Sequence, residues 1–141
     1  MPDRKQFSEI AEVLDANAAP LAPSLGIDLD GCVDDFPFFF QTLTHHWPGK
    51  VFVITFRSDR AKAAADLAAH KIRYDELILV SSFDAKAEVI VEKGILIYFD
   101  DQPEMLRNIP EDRSVMLVRN GGNFDFDTKK WLFSKQTGQM V

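Results

Sequence analysis

The sequence predicts an α/β domain of the Rossmann-like, doubly wound kind, and three observations lead there. Five short apolar runs recur along the chain, helix-like stretches separate them, and no segment between them reads as a linker or a repeat. Strands that alternate with helices pair in parallel, because a parallel neighbour is reached only through a crossover connection. At 141 residues the chain is the size of one domain with one core. Residues 1–141 are therefore expected to form a single domain, with an N-terminal helix over about 5–15, a core over about 25–118 and a tail over about 119–141.

Each element has its own signal. Phe7, Ile10, Ala11 and Leu14 recur at helical spacing with Glu9, Glu12 and Asp15 between them, which marks an amphipathic helix packed on the domain. Ala-Ala-Pro-Leu-Ala-Pro ends it. The strands are Leu25 to Leu29, Val51 to Ile54, Leu77 to Val80, Ile95 to Phe99 and Val115 to Val118. Each run is nearly continuous rather than alternating, as in central strands covered on both faces. Between them, Arg60 to His70 is Ala-rich, and Ala85 to Lys93 ends at Gly94 as a helix C-terminus often does. The tail opens on the turn-prone Asn-Gly-Gly-Asn and reads as a closing loop with a short amphipathic piece around Lys130 to Phe133.

Composition excludes several classes. Hydrophobic residues make up 46% and charged residues 27%, the balance of an ordinary globular protein. A net charge of -6 disfavours general nucleic-acid or anionic-lipid binding, which draws on clustered Lys and Arg. The single cysteine, Cys32, makes an internal disulfide impossible, and with three histidines gives no structural zinc pattern. No apolar run reaches signal-peptide or membrane-span length. A cytoplasmic protein with no membrane partner is expected.

The stretch LGIDLDGCVDD then stands out, because Asp28, Asp30, Asp34 and Asp35 crowd the end of an apolar strand. Like charges this close, partly stripped of water, cost free energy unless a cation offsets them. A metal ion and a phosphoryl group answer that need. In open parallel sheets ligands bind beyond the carboxyl ends of the strands. That edge should gather Asp28 and Asp30 after the first strand, Thr55 after the second, and Asp100 and Asp101 after the fourth, with Lys86 opening the helix before it.

This order of Asp-x-Asp-Gly, strand-Thr, Lys and strand-Asp-Asp resembles the four motifs of the haloacid dehalogenase superfamily of phosphotransferases, over about residues 25 to 102. IDLDGCVDDF is most similar to the first motif of the 5'(3')-deoxyribonucleotidase-like branch, with Asp35 and Phe36 in its last two places. The resemblance implies a HAD-like fold and a magnesium-dependent phosphomonoester hydrolase, acting on a nucleotide or another small or larger phosphorylated substrate. Asp28 would be the nucleophile that forms an aspartyl-phosphate and Asp30 the acid and base. Thr55 would hold a phosphoryl oxygen and Lys86 would neutralise charge. Mg2+ would be held by Asp28, the Asp30 main-chain carbonyl and Asp100, with Asp101 supporting them. Gly31, Phe36 and Arg57 are the expected substrate-binding residues, Phe36 by stacking on a base or sugar and Arg57 by contact with phosphate. Phe56 and Arg57 follow Thr55 where the branch commonly has small or polar residues. Neither gap between motifs is long enough for a large lid, so the cap is expected to be minimal or absent. Members of that kind take large substrates or use a partner subunit as the lid, which makes a homo-oligomer one expectation.

Plainer roles stand beside these. The Phe-rich segment 36–40 is expected mainly to pack a helix on the sheet, Cys32 to fill apolar space, and His45 and His46 to face solvent. Arg60, like Arg57, reads either as a charge capping the Ala-rich helix or as a phosphate contact. Two alternatives to an enzyme are a non-catalytic binding or regulatory protein on the same fold, and a phosphoacceptor receiver-like module. In the second, the acidic pair would come first and the lysine last, whereas here Asp100 and Asp101 follow Lys86.

Overall fold

The computed structural model describes residues 22–132. The helix expected over about 5–15 and the end of the tail from 133 lie outside the described residues. Five strands, β1 (Ser24–Ile27), β2 (Val51–Thr55), β3 (Glu76–Leu79), β4 (Ile95–Asp100) and β5 (Ser114–Leu117), form one sheet in the order β3-β2-β1-β4-β5. All four neighbour pairs are parallel, with Leu25 opposite both Val51 and Ile97, and Ile27 opposite both Val53 and Phe99. The architecture is α/β and Rossmann-like. The chain steps outward from β1 to β3, then returns to the far side of β1 to lay down β4. The sheet therefore reverses its winding between β1 and β4.

Successive side chains of a strand point to opposite faces, and β2 divides accordingly. Val51 and Val53 belong to a cluster with Leu25, Ile27, Phe40, Ala63 and Leu67, under helices α1 (Pro37–His46) and α2 (Arg60–Ala69). Phe52 and Ile54 belong to a second cluster with Ile90, Ile95 and Tyr98, under helix α3 (Phe83–Glu92) and the turn Pro103–Leu106. Two covered faces explain the continuous apolar runs. Fully burying each such Ile, Leu or Val contributes about 1.5–3 kcal/mol.

The helices start where their caps dictate. Asp59 accepts from Lys62 N at 3.0 Å and Ser82 from Ala85 N at 3.2 Å, each satisfying an amide that has no partner within its helix. Arg73 closes the other end of α1, donating to the Thr44, Trp47 and Gly49 carbonyls.

Two expectations need correction. β5 is not covered on both faces: Val115, Met116 and Leu117 are 37%, 46% and 40% exposed. An apolar run reads alike in a central and an edge strand, and only strand order separates them. The tail is not simply a closing loop, since β6 (Phe124–Asp125) and β7 (Lys130–Trp131) form a small antiparallel hairpin. Strand ends also shift slightly, β1 stopping at Ile27 and β4 reaching Asp100. No helix among the described residues is long and apolar enough to cross a membrane.

Candidate functional site

A pocket of about 360 Å³ opens beyond the carboxyl ends of β1 and β4, where the sheet reverses. Asp28 follows β1, and its amide donates to the Phe99 carbonyl at 3.0 Å, which extends the β1–β4 ladder by one residue and fixes where the carboxyl emerges. Asp28 Oδ1 accepts from Leu29 N at 2.8 Å and lies 3.1 Å from Lys86 Nζ. Asp30 is extended and Gly31 turns at a φ of 80°, and the turn is closed by Gly31 N donating to Asp34 Oδ1 at 2.7 Å. A Cβ on Gly31 would come within 2.0 Å of Asp101 Oδ2. Only glycine allows this close approach of the two acidic loops.

Asp101 lines the pocket with Asp28, and the two offer donor oxygens within 4.8 Å of one another. Burial first, then the charge of Asp100, raises both groups, Asp28 well above 3.8 and Asp101 to about 6. Lys86, in the first turn of α3, is fully buried. Burial pulls its ammonium down, but the charges of Asp100 and Asp28 together outweigh that and hold it above the ordinary lysine range.

Asp100 does not line the pocket, although it was expected among the metal ligands. Its Oδ2 takes Lys86 Nζ at 2.6 Å and the Tyr98 hydroxyl at 2.8 Å, and its Oδ1 takes Gln102 N at 2.8 Å. Gly26 makes room for Tyr98, since a Cβ there would meet the ring at 2.7 Å. Asp101, expected in support, is the one that faces Asp28. Asp28 and Asp101 fall with Cys32 in a group whose donor atoms lie within 4.8 Å of one another. Burial raises the Cys32 thiol well above its usual range, so it stays a neutral, soft donor, and the hard donors suited to magnesium are the two carboxyls. These residues could hold a metal ion, with the two carboxyls as its hard donors.

The other expected residues divide. Asp30 and Gly31 line the pocket, as do Asp34 and Asp35. Thr55 ends β2 fully buried, and its hydroxyl has no hydrogen-bond partner among the described residues, yet it is not part of the lining. Phe36 is not part of that lining and belongs to a separate apolar hollow with Phe39, Phe40, Phe99 and Val118. Arg57 is absent from the lining and grips Asp30 instead, while Phe56 takes a place on the wall. Arg60 donates to the Leu77 carbonyl at 2.7 Å, and His45 and His46 are exposed.

Sequence reasoning missed Asn120 and Asn123. Asn120 Nδ2 donates to the Gly31 carbonyl at 2.8 Å and to Asp101 Oδ2 at 3.2 Å, while its Oδ1 accepts from Gly122 and Asn123 amides. Asn123 Nδ2 donates to the Asp101 and Val118 carbonyls at 2.6 and 2.7 Å. Asn-Gly-Gly-Asn after the last strand was legible as a turn. Its reach to Gly31, 89 positions away, was not.

Fold and pocket together define the class: a Rossmann-like α/β domain with a buried Asp–Lys–Asp cluster at the point where the sheet reverses. No protein-family model matches the chain, and no curated protein is significantly similar to it.

Proposed function

We propose that the protein is a HAD-type, magnesium-dependent phosphomonoester hydrolase that works through an aspartyl-phosphate on Asp28. The observation that carries this reading is the placement of Asp28 at the sheet's reversal, held by Lys86, faced by Asp101 and followed two residues later by a rim carboxylate, Asp30. Asp28 attacks phosphorus, the bond to the leaving oxygen breaks, and Asp30 gives that oxygen a proton. Asp30 then takes a proton from the water that attacks the aspartyl-phosphate, and phosphate leaves. Lys86 stays charged throughout and offsets negative charge on Asp28 and the transferring group. The Asp28 and Asp101 carboxylates and the Asp30 main-chain carbonyl would hold magnesium, which would supply positive charge to offset the carboxylates and the phosphoryl oxygens.

The test is turnover of an aryl phosphate and a panel of nucleotides, sugar phosphates, phosphopeptides and 3'- or 5'-phosphorylated oligonucleotides. Wild type with magnesium should turn over at least one, and Asp28→Asn should lower that rate by roughly a thousandfold or more with an unchanged circular dichroism spectrum. No turnover above the Asp28→Asn control would leave a non-catalytic binding role for this fold.

A further inference from the structure

Arg57 is engaged on two sides. Its Nε and Nη2 hold the two Asp30 oxygens at 2.8 and 2.6 Å, and its Nη1 holds Asp66 Oδ2, on α2, at 2.7 Å. The Arg57 side chain is 14% exposed, against 46% for Asp30 and 37% for Asp66. A bidentate guanidinium pair fixes the plane of a carboxyl as well as its position. Without it, Asp30 would be a rim side chain on an extended residue beside a glycine turn, free to rotate into solvent.

We infer that Arg57, anchored by Asp66, is a positioning residue that aims the Asp30 carboxyl, and that it is not a contact for substrate phosphate. The inference rests on the proposed hydrolase reading. Bidentate pairing uses one lone pair on each Asp30 oxygen and leaves another on each for the proton. When Asp30 gives its proton to the leaving oxygen it becomes the carboxylate that Arg57 pairs best. When it takes a proton from the attacking water it regains its first form, still held in place. Asp66 keeps the guanidinium from following an incoming phosphate: two of its three nitrogens already hold Asp30 and the third is tied to the helix.

The experiment is a double-mutant cycle on wild type, Arg57→Gln, Asp30→Asn and the pair, with an activated aryl phosphate and magnesium. Arg57→Gln should lower kcat by roughly ten- to a hundredfold, the scale of a misplaced acid–base group, and leave KM within about twofold. It should cause no further loss in the Asp30→Asn background, and added guanidinium should restore part of the lost rate. Asp66→Asn, which keeps the Asp30 pair but frees its anchor, should show a smaller loss of the same kind. A raised KM with kcat kept, or an equal loss in the Asp30→Asn background, would overturn the positioning role and leave the hydrolase reading standing. A wild type with no turnover above Asp28→Asn would remove both.

Discussion

At Lys86 one ammonium serves two buried carboxyls, Asp28 at 3.1 Å and Asp100 at 2.6 Å. Bringing three charges out of water is costly, so their mutual pairing, not their number, keeps the cluster stable. Lys86→Met leaves two carboxyls without a counter-charge and should destabilise the fold by about 3–5 kcal/mol, read as a lowered urea midpoint at unchanged slope. Asp28→Asn acts the other way: it removes a carboxyl whose ionised form is disfavoured by burial and by the charges of Asp100 and Asp101, and without metal it should melt at or above wild type at neutral pH. A marked fall in its melting temperature would show that Asp28 is held for structure. Activity and stability then pull apart at one residue, as is common for groups placed to react.

Among the elements, the turn over Leu29–Val33 depends most on one residue. Gly31 supplies a positive φ and the absence of a Cβ in front of Asp101. Gly31→Ala carries the backbone penalty, about 1–2 kcal/mol for a left-handed L-residue, and forces Asp101 away from Asp28. Thermal melts should show the first effect, and a magnesium titration followed by melting temperature should show a reduced gain from metal. An unchanged gain would separate the turn from the metal site. The loop after β5 works on the same pair of acidic loops from the other side, where Asn120 ties Gly31 to Asp101 and Asn123 ties Asp101 to Val118.

For the whole molecule, the raised carboxyls make stability depend on pH. In the metal-free protein Asp28 and Asp101 hold protons above the ordinary 3.8, Asp101 up to about 6. The folded state thus binds more protons than the unfolded chain between about 4 and 6, and unfolding free energy falls as pH rises through that window. Asp66 and Asp125, whose carboxyls are lowered by their partners, act only below it. On the proposed reading magnesium would displace these protons, so millimolar magnesium should raise the melting temperature more at pH 7 than at pH 5. Equal gains at both, or a metal-free protein that grows more stable from pH 4.5 to 6.5, would contradict the raised carboxyls.

The sequence by itself determined the alternation of strands and helices and the convergence of Asp28, Asp30, Asp101 and Lys86 on one sheet edge, because both follow from local periodicity and from the rule that parallel sheets bind at their carboxyl ends. Tertiary structure alone decided which acid of the Asp100–Asp101 pair faces the pocket, that Arg57 holds Asp30, that Phe36 lies in another hollow, and that Asn120 reaches Gly31. Those outcomes depend on the direction of a side chain leaving a strand end and on contacts between distant segments. Neither leaves a periodic trace along the chain.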